Sequence, residues 1–418
     1  MRKTGLLCFL LMLFTLLSPL VSCFGDCTSD DADGQTSEES DSFSREGDMT
    51  VTGLRKERDG LFLFTLANGK TVTADFNYYP GHTRKAITFS YDDGNRKYDS
   101  YVTALLRDYG FRGTFMISYG GRTAAELELY EGHEVGNHSS SHNENYKKQE
   151  WPLSLLLSDV KRQSDCLNEA LGTLLSEYPD FDVNRAVSAF AIPYTTDYRF
   201  LSEVTERSDN EALAEMFSAA GAPLDEKTLA GMTDGEVCFA YFRAIGITNS
   251  RRIPYGKGYD VNIKNDFDLP DDFLLWEPTM HQSALKSEKE EEYVNAYATQ
   301  YEELPDDGKL KVFYVWGHPS EIDSSGIAGG TLPGTPNKNL KYRDLEGFLS
   351  FFSGDDYYKA TLSEIERYAA AVRGLCVKNG AVVNLSDTDI YMTVTVNGEA
   401  EELVLPAGGE YRFTWPDE

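Results

Sequence analysis

Basic residues are scarce in this chain. Thirty-nine lysines and arginines stand against 68 aspartates and glutamates over 418 residues, a formal charge of −29. An interface with a nucleic-acid backbone needs clustered Lys and Arg to displace counterions, so DNA and RNA are excluded as partners. Histidine is scarcer still, at six. The six cysteines, Cys8, Cys23, Cys27, Cys166, Cys238 and Cys376, contain no C-x-x-C pair, which excludes a zinc knuckle or a thioredoxin-like redox motif. No G-x-S-x-G nucleophile elbow occurs, which removes the usual serine-esterase signature. There is one long apolar run, Leu6 to Val21, and no internal repeat.

That run sits behind Arg2 and Lys3 and ahead of Leu20-Val21-Ser22-Cys23. A charged start, an apolar middle and a small-residue end are the order of an export signal. The run is also near the length of a short membrane helix, so a retained anchor is the competing reading, with Pro19 and Ser22 favouring cleavage. The Leu-Val-Ser-Cys quartet resembles a bacterial lipobox, which implies a signal over 1–22, a lipidated Cys23, and a protein exported and anchored to the membrane of the cell envelope. Residues 23–48 hold nine acids, one arginine and almost no apolar side chain. Such a composition cannot offset its ordering entropy and reads as a tether.

Beyond the tether, apolar content of 41% and aromatic content of 12% are ordinary for a folded protein. Residues 49–79 contain short β-rich runs punctuated by Asp59-Gly60 and Asn68-Gly69, the chemistry of a small meander. From 80 to 373, β runs such as Ala86–Tyr91 and Lys311–Trp316 alternate with helical patterns at Tyr98–Tyr109, Leu153–Leu171 and Leu362–Val372. Strands alternating with helices predict parallel βα units, open or closed into a barrel. Residues 374–418 return to β runs, with turns at Asn397-Gly398 and Gly408-Gly409, and read as a small C-terminal β module.

Three stretches place metal-capable side chains directly after an apolar β run, where α/β folds build their sites. The first is Ile87-Thr-Phe-Ser-Tyr-Asp92-Asp93-Gly94. In the second, His138-Ser-Ser-Ser-His142, a helical turn would stack two imidazoles on one side and aim both at one cation. His133-Glu134 invites comparison with H-E-x-x-H, but His133 and His138 are five apart and leave a common helix face, so a zinc protease is rejected. The third stretch is Val312-Phe-Tyr-Val-Trp316-Gly317-His318.

Together these resemble the motifs of the polysaccharide deacetylase family, also called the NodB-homology domain or carbohydrate esterase family 4. Thr88-Phe-Ser-Tyr-Asp92-Asp93-Gly94 matches its first motif, with one residue more than usual before the aspartates, and His138-Ser-Ser-Ser-His142 matches its second in full. Ala191-Ile-Pro-Tyr194 matches R-x-P-Y without the arginine, and His318 matches the late histidine. Trp276–His281 and Tyr358–Tyr368 look like segments of an extracellular branch.

The resemblance implies an α/β fold, a distorted (β/α) barrel with β-rich additions at both ends, and a metal-dependent hydrolase that removes acetyl groups, N-linked before O-linked, from a polysaccharide at the cell surface. It implies metal ligands Asp93, His138 and His142, an O,N,N set that suits Zn2+. It implies Asp92 as general base, His318 as general acid and the Tyr194 backbone N–H as an oxyanion donor. Two supports are missing: the arginine that steadies the catalytic aspartate, for which Arg243 and Arg252 are candidates, and the Asp-x-x-Asp-Trp that steadies the histidine. Their absence keeps a second reading open, a glycan-binding lipoprotein on a degenerate, inactive deacetylase fold.

Overall fold

The computed structural model describes residues 50–144, 146, 151–194, 206–253, 267–323 and 340–414. The export signal, the tether with Cys23 and Cys27, and the Pro254-Tyr255-Gly256 end of the second R-x-P-Y-like stretch lie outside the described residues. Of the remaining cysteines, Cys238 and Cys376 are buried and Cys166 is half-buried.

Three strands open the described chain: β1 (Val51–Arg58), β2 (Leu61–Leu66) and β3 (Thr71–Tyr78). β2 alternates half-buried and buried residues, the period-2 signature of a sheet with one face on a core. The turn before it needs Gly60, at φ 69°, because a Cβ there would lie 2.6 Å from the Asn77 side chain. The meander does not stand alone. β3 pairs antiparallel with Ile390–Val396, which pairs with Glu399–Leu405, so strands from the two ends of the chain make one five-stranded sheet. The sequence pattern presents two separate β additions, and this is the correction. Neither group of strands can bury its apolar face alone, and their partners are distant in sequence. Phe62, Phe64 and Phe76 from one end join Met392 and Val394 from the other, over Leu362, Ile365 and Tyr368 of the helix Leu362–Arg373.

The second sheet is parallel throughout. Its strands are β4 (Lys85–Tyr91), β5 (Thr114–Ile117), β6 (Glu134–Asn137), β7 (Ala189–Ala191), β8 (Asn249–Arg251), β9 (Met280–His281) and β10 (Lys311–Gly317), in spatial order 8-7-6-5-4-10-9, with a short eighth strand, Tyr358–Lys359, paired to β4 off this path. The long strands β4 and β10 are buried along nearly their whole length, as parallel strands covered on both faces must be. Of the intervening helices, Arg96–Asp108 begins two residues before the expected Tyr98 and ends one short of Tyr109, and Leu153–Glu177 runs six residues past the expected Leu171.

The two ends of this sheet meet. The Trp276 N–H donates to the Ser250 carbonyl at 3.1 Å and the Arg252 N–H to the Trp276 carbonyl at 3.0 Å, joining β8. A few residues on, the Thr279 N–H donates to the Tyr314 carbonyl at 2.8 Å, and β9 pairs with Val315 and Trp316 of β10. One short segment thus bridges both edges and closes the sheet into a distorted (β/α) barrel with short, irregular strands on one side, as the sequence predicts. Closure brings the carboxyl ends of β4 to β10 to one rim, which is where the polar residues of interest lie.

Trp276 carries that closure. It is 2% exposed and its indole packs edge-on against Phe273 and beside Tyr314, each at 5.0 Å between centroids. Trp276→Ala should therefore cost about 3–5 kcal/mol in urea unfolding, and Trp276→Phe distinctly less. A Trp276→Ala protein with an unchanged unfolding midpoint would show that the bridge is dispensable.

Candidate active site

The rim is built around consecutive aspartates. Asp92 leaves β4 with its N–H bonded to the Gly317 carbonyl at 3.0 Å, and its carboxylate turns into the barrel, 3% exposed. Asp93 adopts φ 78° and its carboxylate faces outward, 36% exposed. Gly94 continues the left-handed turn at φ 64°, where a Cβ would come within 2.9 Å of Ile117 Cγ2. The left-handed backbone at Asp93 is what turns its carboxylate away from that of Asp92.

Asp92 is held by an arginine that the sequence reading does not single out. Arg251, the last residue of β8, donates Nη1 to Oδ1 at 2.9 Å and Nη2 to Oδ2 at 2.6 Å, a two-pronged charged contact. Its guanidinium is 2% exposed and lies over the Trp316 ring, 4.6 Å from the centroid. Burial alone would raise the Asp92 pKa. The Arg251 charge opposes it, helped by His138 and His318, and the net shift is downward, so Asp92 is a carboxylate. Arg251 stands in register beside Ala191 of β7, so the cation missing at position 191 arrives from the adjacent strand. The two candidates read from sequence do other things: Arg243 pairs with Asp272 at the surface, and Arg252 pairs with Glu277 at 2.8 Å.

His138 and His142 converge without a helical turn, which corrects the sequence expectation. The chain after β6 is a loop in which Ser139 has φ 66° and His142 φ 44°. Its shape is fixed by side chains. The Asn137 side-chain Oδ1 accepts from the Ser139 N–H at 2.7 Å, the Ser139 hydroxyl accepts from the His142 N–H at 3.0 Å, and the Asp159 carboxylate accepts from Ser141. These local side-chain bonds outcompete helix formation, the usual behaviour of serine-rich turns. The two imidazoles end 4.9 Å apart. Asp93 Oδ1 lies 3.5 Å from His142 Nε2 and 3.9 Å from His138 Nε2.

This group fits a divalent cation. One oxygen and two nitrogens converge with all ligand atoms within 4.8 Å of one another. His138 Nδ1 faces the Ala191 carbonyl at 2.8 Å, so the proton sits on Nδ1 and leaves Nε2 unprotonated, 3.6 Å from Asp92 Oδ2 and 3.9 Å from Asp93 Oδ1. Burial drives its pKa down to about 4, which keeps the ring neutral and able to ligate.

His318 faces the same space from the end of β10, its Nε2 3.9 Å from Asp92 Oδ2 and its Nδ1 3.4 Å from Glu321 Oε1. Glu321, another residue passed over in the sequence, is gripped in turn. Gln282 Nε2 donates to it at 3.0 Å and to the His318 carbonyl at 2.8 Å, and His281 Nε2 lies 3.2 Å away. Gly317 is required for this, since a Cβ would sit 2.3 Å from the Gln282 side chain. His281, His318 and Glu321 also lie close enough together to invite a second cation. His281 Nδ1, however, accepts from the Ser283 N–H at 3.3 Å, which puts its proton on Nε2 toward Glu321. The trio is two histidines set around one carboxylate, His281 at 3.2 Å and His318 at 3.4 Å from Glu321. Burial would lower the His318 pKa, but the Glu321 hydrogen bond and the Asp92 and Glu321 charges raise it to about 9.

Tyr194 follows β7 at φ 60°, its ring 4.8 Å from His142 and its hydroxyl 3.4 Å from the His142 carbonyl. His133 is elsewhere. It is buried with Nδ1 accepting from Gly113 and Nε2 against the Thr103 carbonyl, a structural residue as the rejected protease motif requires.

A closed parallel barrel with an O,N,N cation group beside an ion-paired aspartate and a charged histidine defines a candidate metal-hydrolase centre. The polysaccharide deacetylase family model matches residues 80–189, a span that holds Asp92, Asp93, His138 and His142 and ends before Tyr194, Arg251 and His318. No curated protein matches the chain. Among solved structures, a family 4 carbohydrate esterase from Streptomyces lividans is similar at 12% identity and TM-score 0.32, over 66% of this chain and 93% of that one. An acetyl xylan esterase from Clostridium thermocellum matches at 12% identity and TM-score 0.31, over 67% and 89%. A chitin deacetylase from Colletotrichum lindemuthianum matches at 14% identity and TM-score 0.31, over 68% and 87%.

The charged state of His318 has a stability consequence of known sign. A histidine whose folded pKa is raised from the ordinary ~6.5 to about 9 contributes stability that is complete below pH ~6.5 and is lost as pH rises through about 9. In metal-free protein that contribution is of order 3 kcal/mol. The urea midpoint should fall across this window, and His318→Gln should flatten the fall. Parallel pH profiles for the two proteins would show that His318 is not held charged.

Proposed function

We propose that the chain is a metal-dependent deacetylase that hydrolyses acetyl groups, N-acetyl first among them, on a polysaccharide at the cell surface. The observation that carries this reading is the Asp93–His138–His142 group set beside the Arg251-paired Asp92. Its support beyond geometry is the match of residues 80–189 to the polysaccharide deacetylase family. A divalent cation held by these three ligands, zinc by the character of the donors, would acidify a water molecule and polarise the acetyl carbonyl.

The chain's own residues do the rest. Asp92, kept ionised by Arg251, takes a proton from the attacking water. The Tyr194 N–H is the donor for the developing oxyanion. His318, charged and oriented by Glu321, gives its proton to the departing amine or hydroxyl, and acetate is released. The alternative, a glycan-binding lipoprotein on a degenerate fold, drew its motive from the missing arginine. Arg251 supplies that charge from the neighbouring strand, which favours the enzyme.

Acetate release from a panel of acetylated glycans, with zinc or with a chelator, tests the activity. Asp93→Ala, His138→Ala and His142→Ala should each abolish stoichiometric zinc binding, while Asp92→Asn and His318→Ala should retain zinc and lose activity by roughly 10² or more. Full zinc occupancy in His142→Ala, by elemental analysis, would remove that residue from the site. Acetate release that withstands exhaustive chelation would remove the metal from the mechanism.

We further propose that the protein works as an exported lipoprotein anchored through Cys23, with residues 23–48 as a leash. A random coil of about 25 residues has a root-mean-square reach of about 25–30 Å, enough to let the barrel reach polymer near the membrane. Cys23→Ala should release the protein from the membrane fraction or stall its processing, with activity on soluble substrate retained. Processed Cys23→Ala protein that stays on membranes would overturn the lipid anchor.

A further inference from the structure

One feature of the rim is costly and takes no part in the chemistry above. Tyr119, just after β5, holds a left-handed backbone at φ 66° and leaves its side chain 61% exposed. A bulky residue in that conformation is strained, and glycine or asparagine would relieve it. The flanking backbone is anchored. On one side the buried Ser118 hydroxyl donates to the His138 carbonyl at 2.9 Å, and on the other the Gly120 N–H donates to the buried Gln163 side chain at 3.0 Å. An aromatic ring is therefore presented to solvent on a fixed mount. Its ring lies 5.7 Å from that of His142, and Tyr194, also left-handed and 37% exposed, lies 4.8 Å from it.

We propose that Tyr119, with Tyr194 beside the same histidine, is the platform on which the sugar ring bearing the acetyl group stacks, and that Tyr119 sets the preference for glycan over small acetyl esters. The proposal rests on the deacetylase reading. An acetyl group placed at Asp93 and His142 leaves its sugar within reach of these rings, and the apolar C–H face of a pyranose is the complement of a tyrosine face.

The test uses full-length, zinc-loaded protein. Binding of chitopentaose and of acetylated xylopentaose is measured by titration calorimetry in the Asp92→Asn background, and kcat/KM is measured in the Asp92 background for both oligosaccharides and for 4-nitrophenyl acetate. Tyr119→Asn, which relieves the backbone while removing the ring, should weaken oligosaccharide binding roughly tenfold and lower the ratio of oligosaccharide to aryl acetate kcat/KM by a similar factor, while Tyr119→Phe should stay within about twofold of Tyr119. Raised thermal stability in Tyr119→Asn would show that the lost affinity is not a folding defect. Equal affinity in Tyr119→Asn and the parent overturns the proposal, as does absence of binding by the parent to either oligosaccharide. In that last case zinc-dependent acetate release from 4-nitrophenyl acetate would leave the deacetylase reading standing by itself.

Discussion

The buried pair between Arg251 and Asp92 is the constraint on which the rest of this site depends. Both side chains are almost wholly excluded from water, so each is tolerable only because of the other. Removing either partner of such a pair leaves an uncompensated buried charge, at a cost of about 3–5 kcal/mol. The pair also fixes an electrostatic sign at the centre of the barrel rim. Because Asp92 stays ionised, it acts on His318 from one side while Glu321 acts from another, and that histidine holds its proton. Because Arg251 lies over Trp316 at the end of β10, the strand that delivers His318 is tied to the strand that delivers the arginine. Barrel closure through Trp276 is what brings β8 and β10 near enough for this.

Much of the fold is legible in the sequence because it is written in local periodicity. The β runs Leu61–Leu66 and Ile390–Val396 and the helix starting at Leu362 follow from β-rich composition bounded by turns and from 3.6-residue spacing. What local pattern cannot carry is which strand pairs with which. The joining of the two terminal β groups depends on apolar faces that meet only in three dimensions. The closing segment likewise has no strand signature, because Trp276 makes single bridging bonds rather than a ladder.

The site shows the same division. Asp92, Asp93 and His318 follow apolar runs, and His138 and His142 are marked by their four-residue spacing, so sequence alone points to them. Arg251 does not, because β8 is the polar triplet Asn249-Ser250-Arg251 with no apolar run to mark it as a strand. Attention falls instead on Arg252, whose motif fits better but whose side chain leaves the barrel for Glu277. In a strand, adjacent side chains face opposite ways, so an error of one residue is an error of one whole face. Glu321 had a usable signal, since a carboxylate three residues after a histidine at a strand end can reach back to that histidine's ring. Strand ends alone gave no reason to look past His318.

Backbone strain gives the last connection. Among the described residues, nine that are not glycine have positive φ, and five of them, Asp93, Tyr119, Ser139, His142 and Tyr194, crowd around the candidate cation group. Strain of this kind costs of order 1–3 kcal/mol per residue and persists only where surrounding bonds over-determine it. Much of that over-determination comes from one face of the helix Leu153–Glu177. Asp159 holds Ser141 and Tyr146, the Val160 carbonyl and Ser164 hold Asn137, and Gln163 holds the Ile117 carbonyl and the Gly120 N–H. Positions 159, 160, 163 and 164 recur at helical spacing, so a single rigid element fixes two loops that leave different strands. The amphipathic pattern that marks this helix in the sequence reads as core packing. Its polar members on the buried side are instead what allow a serine-rich loop to hold two histidines without being a helix itself.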